Sequence, residues 1–310
     1  MSLAALFAVL VALVLVLVLV LGRSPALAET PLDQDVDVSV NYVYATQFGF
    51  GGYSIGGLDV SVFSLPLEFT FDDVIGPCDV RLGLPVIYGY YRFEGTLDDG
   101  TLVKASTNSL ATEIRAKLDI PVFEHFRVTP LAAWGFGGTF DFSASASGGS
   151  GDRADLDAAD GPFYTYQIGL SSLYQVPWNE FTLSFGLAYL YAGDSPFGDT
   201  DEGFGSEAYG TFRTGFDVRH PLGFKIGPHI TPDLSGFFIY SLFSPSLQFT
   251  RFEEEALQVP QIFELGATLG SSTPMELPVI GGLFDGMRIG LAYDFGEDFD
   301  AVNVVFGFPF

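Results

Sequence analysis

Positive charge is scarce in this chain. Thirteen Lys and Arg stand against 38 Asp and Glu in 310 residues, for a formal net charge of -25. Nucleic-acid phosphate repels such a surface, so no nucleic-acid partner is expected. Cysteine is nearly missing too. Cys78 alone cannot form an internal disulfide, which excludes a disulfide scaffold and leaves an unpaired thiol in the turn Gly76-Pro77-Cys78-Asp79. Histidine is limited to His125, His220 and His229, so an imidazole base has few places to stand. Only one long apolar run exists, at residues 3–21, and that excludes a bundle of membrane helices. Apolar residues make up 48% of the chain, with 32 Phe, 14 Tyr and 37 Gly. So much apolar surface argues against disorder.

The apolar run is followed by Gly22-Arg23-Ser24-Pro25 and then by Ala26-Leu27-Ala28 before Glu29. A long apolar core, a helix-breaking patch and an A-x-A site make a secretory signal peptide, with cleavage expected after Ala28. Residues 1–28 are thus read as targeting and 29–310 as one structural domain. No Lys or Arg precedes the run, and its length would also span a bilayer, so an uncleaved anchor is the alternative. Without a cysteine near residue 28, a lipidated N-terminus is not expected.

From Val36 onward the apolar period is two. Val36, Val38, Val40 and Tyr42 share one face, opposed by Asp37, Ser39 and Asn41. Leu110, Thr112, Ile114 and Ala116 oppose Glu113, Arg115, Lys117 and Asp119. Tyr164, Tyr166, Ile168 and Leu170 oppose Thr165, Gln167, Gly169 and Ser171. Phe181, Leu183, Phe185, Leu187, Tyr189 and Tyr191 oppose Thr182, Ser184, Gly186 and Ala188. Ile289, Leu291, Tyr293 and Phe295 oppose Arg288, Gly290, Ala292 and Asp294. Many such segments reach the 9–11 residues that a tilted strand needs to cross a bilayer, and aromatic residues gather at their ends. A soluble sandwich would show shorter strands without that aromatic bias. In hydrocarbon every backbone N–H and C=O must be paired, which an open sheet edge cannot achieve. The pattern therefore predicts an all-β fold: a transmembrane, antiparallel, up-and-down β-barrel of about twelve strands.

Strand cores are expected near 36–46, 58–71, 80–95, 107–122, 126–144, 162–176, 181–192, 206–219, 224–241, 259–270, 286–295 and 301–310. Odd connections at 47–57, 97–106, 145–161, 193–205, 242–258 and 296–300 are Gly-rich and mostly acidic. They carry Asp98, Asp99, Asp152, Asp155, Asp157, Asp160, Asp194, Asp199, Asp201, Glu202, Glu253, Glu254, Glu255, Glu297, Asp298 and Asp300. Most even connections are short, as at Phe123-Glu124-His125, 176–180 and His220-Pro221-Leu222-Gly223. Short periplasmic turns and long outer loops are the habit of bacterial outer-membrane barrels. Pro228, Pro232 and Pro245, and the long stretch 271–285, leave ten or fourteen strands open as alternatives.

Val302, Val304, Phe306, Phe308 and Phe310 alternate onto one face and close the sequence, with Pro309 in the penultimate position. Together with the twelve-strand rhythm and the start at Val36-Asp37-Val38-Ser39-Val40, this ending resembles the translocator barrel of autotransporters. More closely it resembles the solitary, autotransporter-like outer-membrane barrels that lack a passenger. The resemblance implies a bacterial outer-membrane location and export through the inner membrane. It also implies recognition of Phe306, Phe308 and Phe310 by the barrel-assembly machinery. Only residues 29–35 separate the expected cleavage site from the first expected strand, so self-secretion of a passenger is not implied.

On this register Arg81, Glu113, Arg115, Lys117, Asp119, Arg127, Arg213, Asp217, Arg219, Glu264, Arg288 and Asp294 point into the lumen. Base is concentrated there while acid dominates the loops. Two readings stay open. The charges form a selective constriction of a narrow solute or ion channel, or they interlock as salt bridges that fill the barrel. The acidic loops do not match a calcium-binding loop, because Asp152, Asp155, Asp157 and Asp160 lack the bidentate Glu at the twelfth position. No metal, cofactor or catalytic group is expected. Outer-membrane lipid and lipopolysaccharide are the expected surroundings. A barrel enzyme acting on lipid or peptide is the alternative, resting on the three histidines alone.

Overall fold

The computed structural model describes residues 50–55, 58–65, 67–96, 102–147, 161–197, 208–226, 231–251, 254–271, 288–297 and 299–306. They form fourteen strand segments in one antiparallel sheet. These are β1 Phe50–Ile55, β2 Leu58–Leu65, β3 Glu68–Ile75, β4 Cys78–Gly83, β5 Val86–Thr96, β6 Leu102–Phe123 and β7 Phe126–Ser147. They continue as β8 Pro162–Trp178, β9 Phe181–Pro196, β10 Ala208–Pro221, β11 Pro232–Arg251, β12 Glu254–Ser271, β13 Arg288–Gly296 and β14 Phe299–Phe306.

The segments reduce to twelve barrel strands. β2 pairs with β5 from Leu58↔Phe93 to Leu65↔Val86, and β3 continues the same register with β4 at Glu68↔Gly83. β4 and β5 likewise share one register along β6, at Gly83↔Arg115 and Val86↔Thr112. β2–β3 and β4–β5 are therefore each one long strand with a short gap. Pro85 lies in the second gap, where it cannot donate a ladder hydrogen bond. The Leu84 N–H beside it still donates to the Leu67 carbonyl at 2.7 Å. β6 pairs with β7 on its other edge, each later strand pairs with the next, and β14 pairs with β1 at Phe50↔Val304. The sheet closes on itself, so no free edge is left around the ring.

Several boundaries differ from the sequence expectation. β1 occupies Phe50–Ile55, inside the stretch 47–57 read as a loop. Closure explains this: the Gly51-Gly52 backbone has two partner strands, and ladder pairing outweighs weak intrinsic strand preference. β11 begins at Pro232 instead of residue 224 and runs on to Arg251, through much of the expected loop 242–258. Pro245 is accommodated at an interruption of the β11–β12 pairing between Leu242 and Leu247. Glu254 and Glu255 accordingly begin β12 instead of lying in a loop. Asp300 lies in β14, Asp194 in β9 and His220 in β10, whereas the sequence pattern puts each in a connection. The expected signal segment 1–28, the strand 36–46, His229, Phe308, Phe310 and the acids at 98–99, 152–160 and 199–202 fall outside the described residues. Phe306 ends β14, in register with Ile289 of β13.

The outer wall is apolar. Ile114 (62% exposed), Trp134, Phe185, Leu187, Phe216, Leu265, Leu291 (62%) and Tyr293 all project from it. Rings stack across neighbouring strands, as Phe263 does on Phe295 with centroids 5.5 Å apart. Aromatic pairs also mark the end that carries the tight turns: Phe123 on Phe126 and Trp178 beside Phe181. We call this the turn end. At the opposite end β5, β7 and β9 finish at Thr96, Ser147 and Pro196, and we call it the loop end.

Candidate functional site in the barrel interior

Strand alternation puts the charged residues on the wall opposite the apolar belt, and their contacts show that this wall is concave. Arg213 on β10 reaches Glu264 on β12 at 3.5 Å, across β11. Arg288 on β13 pairs with Asp233 on β11, across β12. Gln167 Nε2 on β8 donates to Glu113 Oε2 on β6 at 3.0 Å, across β7. Side chains two strands apart can converge in this way only on the inside of a curved sheet.

Three polar groups result. In the first, Arg81 bridges Glu68 at 3.0 Å and Asp119 at 2.8 Å. Lys117 completes the Glu68 contact at 2.7 Å, and Thr129 donates to Asp119 at 2.5 Å. Arg127 lies beside Asp119 in the same cluster. In the second, Arg115 donates to Glu113, whose other oxygen accepts from Gln167. The third lies toward the turn end of β10 to β13. Arg288 pairs with Asp233 and donates through Nε to Thr268 at 2.9 Å. Ser235 donates to Asp217 there, with Arg219 beside them. Between the second and third groups, Glu264 and Asp294 face each other directly in the β12–β13 register. Asn303 Nδ2 donates to Asp294 at 2.7 Å.

The second group is the tightest. The Glu113 and Arg115 side chains are 0% and 6% exposed. Their closure depends on a glycine in the strand between. Gly135 of β7 stands in register with both Glu113 and Thr165. A Cβ there would lie 2.5 Å from the Thr112 carbonyl oxygen and 2.6 Å from Glu113 Cβ. The bare backbone lets Glu113 lie over β7 toward Gln167.

The loop-end half of the interior is different. Val60, Val62, Ile87, Tyr91, Ala111, Phe163, Tyr209, Phe243, Leu247, Val259, Ile262 and Ala301 form one buried apolar cluster. Lower in the barrel, Phe237, Ile239, Ala292 and Val305 form a second. Neither cluster was anticipated from the sequence, which assigned apolar residues to the lipid face. The available signal was the run Phe237-Phe238-Ile239-Tyr240, apolar on both faces of one strand. In a strand contacted by lipid outside and packed side chains inside, both faces become apolar.

Ion pairs below and apolar side chains above both project inward within a closed ring, while lipid-compatible surface covers the outside. That inversion defines an integral-membrane antiparallel β-barrel. The chain is similar in fold to the translocator domains of autotransporters. It matches the β-domain of the Bordetella autotransporter BrkA at 11% identity and a TM-score of 0.46, covering 85% of this chain and 97% of that one. It matches the transport unit of AIDA-I from Escherichia coli at 10% identity and 0.49, covering 90% and 100%. For the translocator domain of NalP from Neisseria meningitidis the values are 13% and 0.49, covering 84% and 86%. These are likenesses in the course of the chain alone, and the assignment above rests on the pairing and the two walls. No protein-family model and no curated protein matches the sequence.

Two of the three histidines lie among the described residues. His125 and His220 meet Glu124 and Glu180, each at 3.5 Å, at the exposed turn end. Among the described residues, no group of three or more His, Cys, Asp or Glu converges in a way that would hold a metal. Cys78 is free and buried at the start of β4.

Proposed function

We propose that the protein is a bacterial outer-membrane β-barrel whose interior is closed by its own side chains, and that it serves as a non-enzymatic structural element of the surface. The observation that carries this is the Glu113–Arg115–Gln167 group. It joins β6 to β8 across the lumen wall, with its paired charges withdrawn from water. A selective pore needs its charges hydrated and available to a passing ion. Paired charges at 0% and 6% exposure are spent on each other. The apolar cluster toward the loop end adds a second layer of buried side chains.

The test is conductance across a planar bilayer, with the folded protein inserted at known density. Baseline current up to high protein density is expected. Discrete, ion-selective conductance steps that scale with inserted protein would overturn the closed-lumen reading in favour of a channel.

A further inference from the structure

The interior carboxylates are not equally served. Glu68, Glu113, Asp119, Asp233 and Glu264 each meet an Arg or Lys. Asp294 on β13 differs: among the described residues it makes no ion pair. It is 6% exposed and faces Glu264 of β12 in register. Glu264 and Arg213 are the charged groups that act on it. Arg213 reaches Glu264 at 3.5 Å, well beyond the ~2.7–2.9 Å of a tight charge-assisted bond. Two carboxylates against one guanidinium leave one negative charge over. The surroundings are apolar. Ala301, in register with Asp294, and Ile262 belong to one buried cluster, and Ala292 and Val305 belong to the other. A charge withdrawn from water in this way needs a counter-charge.

The same place holds two oxygen atoms without a partner. Asn303 of β14 is 8% exposed, and its Nδ2 donates to Asp294 Oδ2 at 2.7 Å. A carboxylate only accepts, so the amide nitrogen faces it. Asp294 Oδ1 and Asn303 Oδ1 then remain, both buried and without a hydrogen-bond partner. Both are acceptors on side chains already in contact, and neither can satisfy the other. A water molecule would satisfy the oxygens and leave the charge. Carboxylates and an amide carbonyl are the oxygen ligands that hard cations take. Among the described residues no third acid, His or Cys joins them, so a single positive charge balances the set.

We propose that Glu264, Asp294 and Asn303 bind a monovalent metal cation, sodium or potassium, inside the barrel. One such ion brings the local charge to zero and gives the two free oxygens a common partner. It ties β12, β13 and β14 together beside the seam where β14 meets β1. The Glu264 side chain is 18% exposed and gives the ion its approach from the lumen.

The experiment is urea titration of the full barrel refolded into phosphatidylcholine vesicles. Ionic strength is held constant while sodium or potassium chloride replaces tetramethylammonium chloride, whose cation is too large for the site. The folding equilibrium constant is expected to rise saturably, about tenfold once the metal ion reaches about ten times its dissociation constant. Asp294→Asn leaves Arg213 and Glu264 balanced and is expected to abolish the response. Asn303→Ala keeps the charge, removes one oxygen and is expected to raise the half-saturating concentration about tenfold. Heat-modifiable migration in gels confirms that each variant is folded. A wild-type barrel indifferent to the exchange of cations overturns the proposal, as does an equal response from Asp294→Asn, which would make the effect one of the salt medium. Saturation by calcium chloride at lower concentration than by either monovalent ion overturns the monovalent assignment. A stability that follows pH and ignores metal ions would mean that a proton supplies the counter-charge, and the proposal falls. Conductance plays no part in this readout, so the ion site and the closed lumen fail independently.

Discussion

Arg115→Met removes one partner of the most deeply withdrawn ion pair. The Glu113 carboxylate then keeps only the Gln167 amide, at 3.0 Å, in a position with no solvent-exposed surface. Breaking a buried pair on one side costs about 3–5 kcal/mol, because an uncompensated charge stays behind. That lowers the folding equilibrium constant by about a hundredfold to several thousandfold. The companion variant Glu113→Gln/Arg115→Met removes both charges and keeps an amide facing Gln167, so it is expected to recover most of the loss. Urea titration of the protein refolded into lipid vesicles measures this, read through Trp134 and Trp178. Trp134 is a suitable reporter because it stands on the outer wall in register with Ile114, which lies between Glu113 and Arg115 in sequence. A single substitution costing less than about 1 kcal/mol would show that water reaches the pair, and would refute the closed interior. A double variant as unstable as the sum of its singles would refute the pairing itself.

Other substitutions probe the two walls separately. Leu291→Arg, on the outer face of β13, is expected to cost about 2–4 kcal/mol in vesicles if it lies near the bilayer midplane. An exposed leucine in water would tolerate the same change within about 0.5 kcal/mol, so unaltered urea resistance would count against the membrane reading. Gly135→Ala is expected to lower stability and to loosen the Glu113–Gln167 contact, since the added Cβ meets the Thr112 carbonyl oxygen at 2.5 Å; a stabilised variant would sink that account. Phe237→Ala, emptying the packing over Gly266, is expected to cost about 3–5 kcal/mol. A loss below about 1 kcal/mol in the same titration would mean that the ring faces water.

The period-two alternation made most strands legible, because lipid outside and polar contacts inside impose opposite chemistry on successive residues. It is clearest at Leu110 to Asp119 and at Ile289 to Phe295, where the two faces differ most. The first strand was not legible. Phe50–Ile55 contains two glycines and reads as a turn, and only its pairing with both β14 and β2 makes it a strand. Nor was the course of β11 through Pro245 readable, since a proline at an interrupted ladder looks in sequence like one that ends a strand. The interior charges could be placed on a face from parity alone. Their partners could not, because Arg213 with Glu264 and Gln167 with Glu113 depend on curvature that brings next-nearest strands together.

The interior apolar clusters follow from the same geometry. A ring of twelve strands encloses more space than a single layer of salt bridges fills, and large inward side chains are the remaining means of excluding water. Phe163 and Phe237, both at most 2% exposed, do this over glycines of neighbouring strands. A Cβ at Gly137 would approach Phe163 Cζ to 2.6 Å, and one at Gly266 would approach Phe237 Cζ to 2.4 Å. Aromatic rings and glycines are therefore paired across strands inside the barrel. Part of the glycine and aromatic content thus serves an interior built to be filled, beside the larger set of aromatic residues on the outer wall.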